Sequence, residues 1–326
     1  MKNKALKRLH KIFRYVFSTK NFYHGIEQCD ANCGFWPSFV VDRLGIDPAK
    51  GELAFMSTSC LPDLLWINRS RNKVLYIPEN IHAKWSYWRI WENCWTWKNA
   101  PTLSIGFDYS DHTKYLRFPY WIETIFPPTA TYEDIGRFID KYNYSDSTAR
   151  NKSCAFVCRK DYYGYMAVIA DLVGSILQIS YPSDFRHNDD DLHDKYDNNK
   201  NAYLRQFRFN LCPENTNNLG YVTEKVFQAI QAGCIPVYWG NEGYPEPDIL
   251  NPEAIVYIDI YKPSEGLELL KRLNDDPIAY ADFISKPRFL PGAEDAIYGY
   301  FVRAEQRLRQ ILQVGNENNL TIQRGA

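Results

Sequence analysis

The chain has 326 residues, 45% hydrophobic and 16% aromatic, with a net charge of −1. That length supports two cores, and the mixed charge leaves no global field to steer the protein to nucleic acid. No uninterrupted run of 18 apolar residues occurs, so hydropathy marks no transmembrane helix.

The first twenty residues hold seven Lys or Arg and no acid, and Leu6, Leu9, Phe13, Val16 and Phe17 recur near helical spacing. Two readings stay open: a basic amphipathic helix on an anionic membrane surface, or a terminal helix docked with its basic face in solvent. The N-terminus lacks the apolar core and cleavage site of a signal peptide. The expectation is a cytoplasmic protein, with peripheral contact to the inner membrane face through residues 1–20 left open.

"LAFMS", "KVLYIPEN" and "TLSIGFDYS" read as short strands ending in polar loops. Between the last two, Trp85, Trp88, Trp91 and Trp95 fit one face of a helix, which predicts core packing. "PTATYEDIGRFIDKYN" predicts a helix with Thr131 as N-cap and Ile135, Phe138 and Ile139 as its apolar face. The polar stretch "YNYSDSTARNKS" is the expected domain boundary. It divides an N-terminal domain, 1–148, from a second, 149–296, with a C-terminal helix from 297 packing back on the first.

Beyond the boundary, strands and helices alternate. "SCAFVC", "SILQIS", "FRFNLC", "CIPVYW" and "AIVYID" read as strands. "YGYMAVIADLVG", "GYVTEKVFQAIQAG" and "PSEGLELLKRLNDD" read as helices. This order predicts parallel βαβ units and a Rossmann-like domain. The eight cysteines show no zinc-finger spacing and are expected to be buried free thiols.

The most informative stretch is "FRFNLCPENTNNLGYVTEKVFQAIQAGCIPVYWG", Phe207 to Gly240. Phe207, Phe209 and Leu211 alternate as a strand. A turn-rich loop follows, then Val222, Val226, Ala229 and Ile230 at helical spacing, ended by Gly233. Lys225 stands where that helix starts, the wrong end for a cation by about 0.3–1 kcal/mol. An anion bound there reverses the sign. The alternative is a solvated surface lysine. Neither GxGxxG nor GxxxxGK[ST] occurs, so a phosphorylated ligand is expected to be held mostly by side chains. Arg186, in the loop after "SILQIS", is a second candidate cation at the same sheet edge. The acidic run Asp189 to Asp194 reads as a solvated loop rather than a metal site.

The 207–240 stretch resembles the signature segment of the α-1,3/4-fucosyltransferase family, F-x-L-x-x-E-N-S-x-x-x-x-Y-V-T-E-K followed by P-V-Y-W-G. "LSIGFDYSDHTKYLRFPYW" (Leu103 to Trp121) resembles the family's "IGFD…DRYLR-x-P" block, and "YIPEN" (Tyr76 to Asn80) its "GEN" element. Thr216 stands for the usual Ser and Pro78 for a common Gly. The resemblance implies an α/β fold of two Rossmann-like domains facing a cleft (glycosyltransferase B-type). It implies inverting transfer of L-fucose from GDP-β-L-fucose to O3 or O4 of an N-acetylglucosamine-containing glycan such as N-acetyllactosamine. Carried onto this sequence, Lys225 and Arg186 would neutralise the diphosphate. Glu224 would accept from the ribose hydroxyls, Tyr221 and Asn215 would line the nucleotide site, and Glu79 would be the general base. No metal ligand or required cofactor is implied, with stimulation by Mn²⁺ or Mg²⁺ left open. Alternatives are a same-fold transferase using another nucleotide sugar, and a non-enzymatic glycan-binding protein suggested by the tryptophans.

Overall fold

A computed structural model describes residues 23–24, 34–46, 53–58, 72–84, 87–98, 100–145 and 150–312. The basic segment 1–20, Trp85, and Cys29, Cys33 and Cys60 lie outside the described residues.

Two parallel sheets organise the chain. The first runs β1 (Tyr23–His24), β2 (Leu53–Ser57), β3 (Asn72–Tyr76), β4 (Leu103–Gly106) and β5 (Tyr115–Arg117), with spatial order following chain order. Val74 of β3 lies opposite Phe55 on one side and Leu103 on the other. All five residues of β2 are buried. Both faces of a parallel sheet are covered, so such strands read as continuous apolar runs rather than alternating ones.

The second sheet contains β6 (Lys152–Ala155), β7 (Ile179–Ser180), β8 (Phe207–Leu211), β9 (Ile235–Tyr238) and β10 (Val256–Tyr257), in the order β10-β9-β8-β6-β7. Cys154 of β6 pairs with Ile179 of β7 and with Phe209 of β8. The chain leaves β6 toward one edge, to β7, and then returns to β6's other side for β8. The strand order therefore reverses between β6 and β8. In open parallel sheets a crevice forms at that point, outside the carboxyl ends of the two strands.

Helix ends follow from local chemistry. Thr131 caps the helix Tyr132–Tyr142, accepting from the Asp134 amide while Asp134 accepts from Thr131's own amide. Ile135 and Ile139 of that helix are buried. Gly233, at φ +74°, follows the helix Lys225–Gln231. The Gly233 and Cys234 amides donate to the Ile230 and Ala229 carbonyls, which closes the helix as a Schellman motif.

Several elements are shorter than the sequence suggests; the strands expected from "SILQIS" and "AIVYID" shrink to Ile179–Ser180 and Val256–Tyr257. The tryptophan-rich stretch forms two 3₁₀ turns, Tyr87–Trp91 and Cys94–Thr96, not one helix. Asn93, at φ +55°, separates them. Trp91 and Trp95 are buried as expected, and Trp91 Nε1 donates to the Thr58 carbonyl at 3.0 Å. The helix expected from Val222 begins only at Lys225 and has seven residues. The reason lies in Thr223, whose amide and hydroxyl both donate to the Glu214 carboxylate, each at 2.7 Å.

Among the described residues, those up to Phe118, Phe126–Ala130 and those from Gly299 pack as one compact unit, while Pro119–Ile125 and Thr131–Tyr298 pack as a second. In the second unit, Trp121 stacks on Phe227 at 4.2 Å and 21°, and its Nε1 donates to buried Glu246 at 3.0 Å. Cys94, Cys154, Cys212 and Cys234 are buried free thiols, and Cys158 is half-buried and free. No described helix is long and apolar enough to cross a membrane.

Candidate active site

The switch point holds a cavity of about 300 Å³, within the lower range of small-molecule sites. Its walls come from the segment after β6 (Phe156 to Lys160), the end of β8 with the loop after it (Asn210 to Pro213, and Asn215), Lys200, Glu224 and Lys225. Asp161 shapes the first of these. Its carboxylate accepts from the amides of Gly164 at 2.7 Å and Ala167 at 2.9 Å, at the start of the helix Tyr165–Gly174. Four cations, Arg159, Lys160, Lys200 and Lys225, line the cavity against one carboxylate, Glu224. Such a surplus suits an anionic ligand.

Lys225 is not left waiting for that ligand. Its Nζ donates to Glu214 Oε2 at 3.0 Å and to Thr223 Oγ1 at 3.1 Å. Glu214 has no exposed surface and also takes both donors of Thr223. The protein thus supplies a buried counter-charge for a cation at a helix start. This adds a third answer to the two the sequence left open, a bound anion or a solvated lysine. Gly240 makes room for the arrangement: at φ +143°, a Cβ there would stand 2.7 Å from Glu214 Cγ. Lys225 keeps 23% of its side chain exposed and faces the cavity while held from behind.

Of the residues singled out from sequence, the structure brings Asn215, Glu224 and Lys225 together on this cavity. Tyr221 is 2% exposed and is not one of the lining residues. Arg186, at φ +52°, pairs with Asp171 at 2.5 Å, away from the lining. The pairing holds the Asp171 carboxyl below its ordinary range. The acidic run is neutralised locally: Lys152 and Lys195 pair with Asp191, each at 2.7 Å, and the Tyr203 hydroxyl donates to Asp189 at 2.9 Å. Among the described residues, no group of three or more His, Cys, Asp or Glu is arranged to hold a metal.

Sequence reasoning missed Glu214, Lys200, Asn210, Arg159 and Lys160. The dipeptide Arg159-Lys160 directly follows the strand "CAFVC", and that position was the available signal.

Glu79 lies in the first unit, half-buried, just past the carboxyl end of β3. Three residues on, His82 Nε2 is 2.7 Å from Asp108 Oδ1, and its Nδ1 is 3.5 Å from Glu92 Oε1. The Tyr115 hydroxyl donates to Asp108 Oδ2 at 2.7 Å. Burial acts to lower the His82 pKa, but the hydrogen bonds and charges of Asp108 and Glu92 outweigh it and raise it.

Two parallel Rossmann-like sheets make the fold known as glycosyltransferase B-type. The fold matches that of a crystal structure of α1,3-fucosyltransferase solved with GDP-fucose, with a TM-score of 0.52 and 22% identity over 80% of this chain and 78% of that one. Residues 159–288 match the family described as glycosyltransferase family 10 (fucosyltransferase) C-term. Curated relatives include the α-(1,3)-fucosyltransferase FucT of Helicobacter pylori, 39% identical over 26% of this chain and 18% of that protein. The α-(1,4)-fucosyltransferase of Arabidopsis thaliana is 33% identical over 24% of this chain and 20% of that protein. The matches to these two span about a fifth of each relative's length.

Proposed function

We propose that this protein is an inverting fucosyltransferase that moves L-fucose from GDP-β-L-fucose to O3 or O4 of an N-acetylglucosamine-containing glycan such as N-acetyllactosamine. The observation that carries the reading is the cation-lined cavity at the β6/β8 switch point, whose four cations all lie in the segment 159–288 that matches the fucosyltransferase family. Lys225, held by Glu214, meets the diphosphate. Glu224 accepts from the ribose hydroxyls, and Asn215 and Tyr221 belong to the same nucleotide site. Arg186 joins Lys225 on the diphosphate by exchanging Asp171 for phosphate.

The chemistry requires a bond from the acceptor oxygen to the fucose anomeric carbon as the bond to the diphosphate oxygen breaks. The acceptor's proton goes to Glu79, and the electron pair leaves with GDP, where fixed cations stabilise it. Lysine ammonium groups supply the charge that a divalent ion supplies in other transferases. The proposed reaction requires no metal, so activity is expected to persist in EDTA, with Mn²⁺ or Mg²⁺ acting at most as a stimulant.

The test is sugar transfer from GDP-fucose to lactose, N-acetyllactosamine and its type 1 isomer, with GDP-mannose as the competing donor and linkage read by NMR. Fucose on O3 or O4 of the N-acetylglucosamine residue supports the reading. Transfer from GDP-mannose alone, or glycan binding without transfer, rejects it.

A further inference from the structure

Lys200 reaches the cavity wall from the short helix Lys200–Leu204. Its Nζ donates to Gln228 Oε1 at 2.6 Å, a neutral acceptor, and it makes no ion pair among the described residues. Lys225 on the same wall has Glu214 as its counter-ion. Lys200 is half-buried, and a partly desolvated ammonium with only a neutral hydrogen-bond partner is less favourable than a paired one. Desolvation is the main cause that pulls the Lys200 pKa down. The Glu224 charge pushes it back up, and the like charge of Lys225 adds to the lowering. The other titratable groups facing it are the Cys158 and Cys212 thiols, both pushed up by burial and so neutral. The remaining cavity cations, Arg159 and Lys160, are exposed at the rim. A second buried polar group lines the same space. Asn210 is 2% exposed, lines the same space, and its Oδ1 has no hydrogen-bond partner.

We propose that Lys200 is a second cationic contact for the ligand's diphosphate, shared with Lys225, and that its unpaired charge destabilises the ligand-free fold in return for tighter binding. The inference rests on the donor reading above. When an anion enters, Lys225 already has its carboxylate at 3.0 Å, whereas Lys200, which has no carboxylate within ion-pair distance among the described residues, gains a direct counter-charge. The larger electrostatic gain falls on Lys200. Binding is then linked to proton uptake by Lys200 in alkaline buffer, because the anion raises a pKa that the empty cavity lowers.

The experiment is calorimetric titration of the full chain with GDP, GMP, guanosine and inorganic pyrophosphate, comparing wild type, Lys200→Gln, Lys200→Arg and the surface control Lys195→Gln. Lys200→Gln is expected to weaken GDP and pyrophosphate about 10–100-fold, on the scale of a charged hydrogen bond, with guanosine unchanged. Its ligand-free melting temperature is expected to equal or exceed that of wild type, because the unpaired charge is gone. Lys200→Arg keeps most of the GDP affinity. Wild type takes up protons on binding GDP in alkaline buffer, shown by titration in buffers of different ionisation enthalpy, and Lys200→Gln takes up fewer. Two results overturn the inference: GDP affinity in Lys200→Gln matching wild type, or a loss that extends equally to guanosine with a lowered melting temperature. Lys200-dependent binding of pyrophosphate with no binding of GDP removes the donor reading and leaves the cation assignment standing. Absence of binding by both in wild type removes the two together.

Discussion

Replacing Glu214 with Gln takes away the charge that Lys225 Nζ meets at 3.0 Å and weakens the acceptor for two Thr223 donors. The carboxylate is fully buried, so the expected loss is about 1–3 kcal/mol of stability by urea unfolding. Lys225→Ala is expected to cost a similar amount, since it strands the same carboxylate, and to abolish GDP binding as well. A binding loss in Lys225→Ala with no change in stability would show the pair to be dispensable to the fold. His82 makes a separate prediction. Its folded pKa is raised above the unfolded value, so the His82–Asp108 pair stabilises the protein below the unfolded pKa, near 6.5. That stability fades as pH rises through the folded pKa. His82→Gln is therefore expected to lower stability by about 1 kcal/mol at pH 5.5 and by less at pH 8.5; an equal loss at both pH values contradicts the ion pair. Lys225 was legible in the sequence as a charge at the wrong helix end. Its partner was not, because Glu214 sits in a loop whose turn is set by Thr223 rather than by a repeating pattern. Lys200 was illegible for another reason. It lies in the polar stretch "YDNNKNAYL", and only the fold carries it to the cavity.

Strands were the most legible elements, because burial on both sheet faces leaves long apolar runs bounded by polar loops. "LAFMS" and "IPVY" are buried at every position. Helices expected from spacing kept their type but not always their length. The 3.6-residue period continues through Val222, yet Thr223 turns its donors toward Glu214, and the helix starts at Lys225. The tryptophan stretch failed in a related way, since Asn93 in the left-handed region breaks what spacing alone would continue. One packing contact was invisible in the pattern. The short helix Tyr120–Ile125 belongs to the second unit, where Trp121 is fully buried against Phe227. Trp121→Ala is expected to cost about 3–5 kcal/mol, read as a lowered urea midpoint. A loss below about 1 kcal/mol, the scale of an ordinary surface change, contradicts the packing described.

At the scale of the whole molecule, the proposed function divides its residues between the two units. The segment that matches the fucosyltransferase family carries the cavity's four cations, and Glu79 belongs to the other unit. Glu79→Ala is expected to keep donor affinity and lose roughly 10²–10⁴-fold in turnover, the range for a general base; normal turnover would place the base elsewhere. The alternation of strands and helices made the second fold readable before any coordinates. What the sequence did not reveal was the strand order, and with it the crevice between β6 and β8, because pairing partners far apart in the chain leave no periodic signal. The measurement that tests the account most directly is a crystal structure of the protein soaked with GDP. The account predicts the diphosphate within hydrogen-bond distance of Lys225 Nζ and Lys200 Nζ. GDP bound elsewhere on the molecule, with both lysines unchanged around an empty cavity, would contradict it.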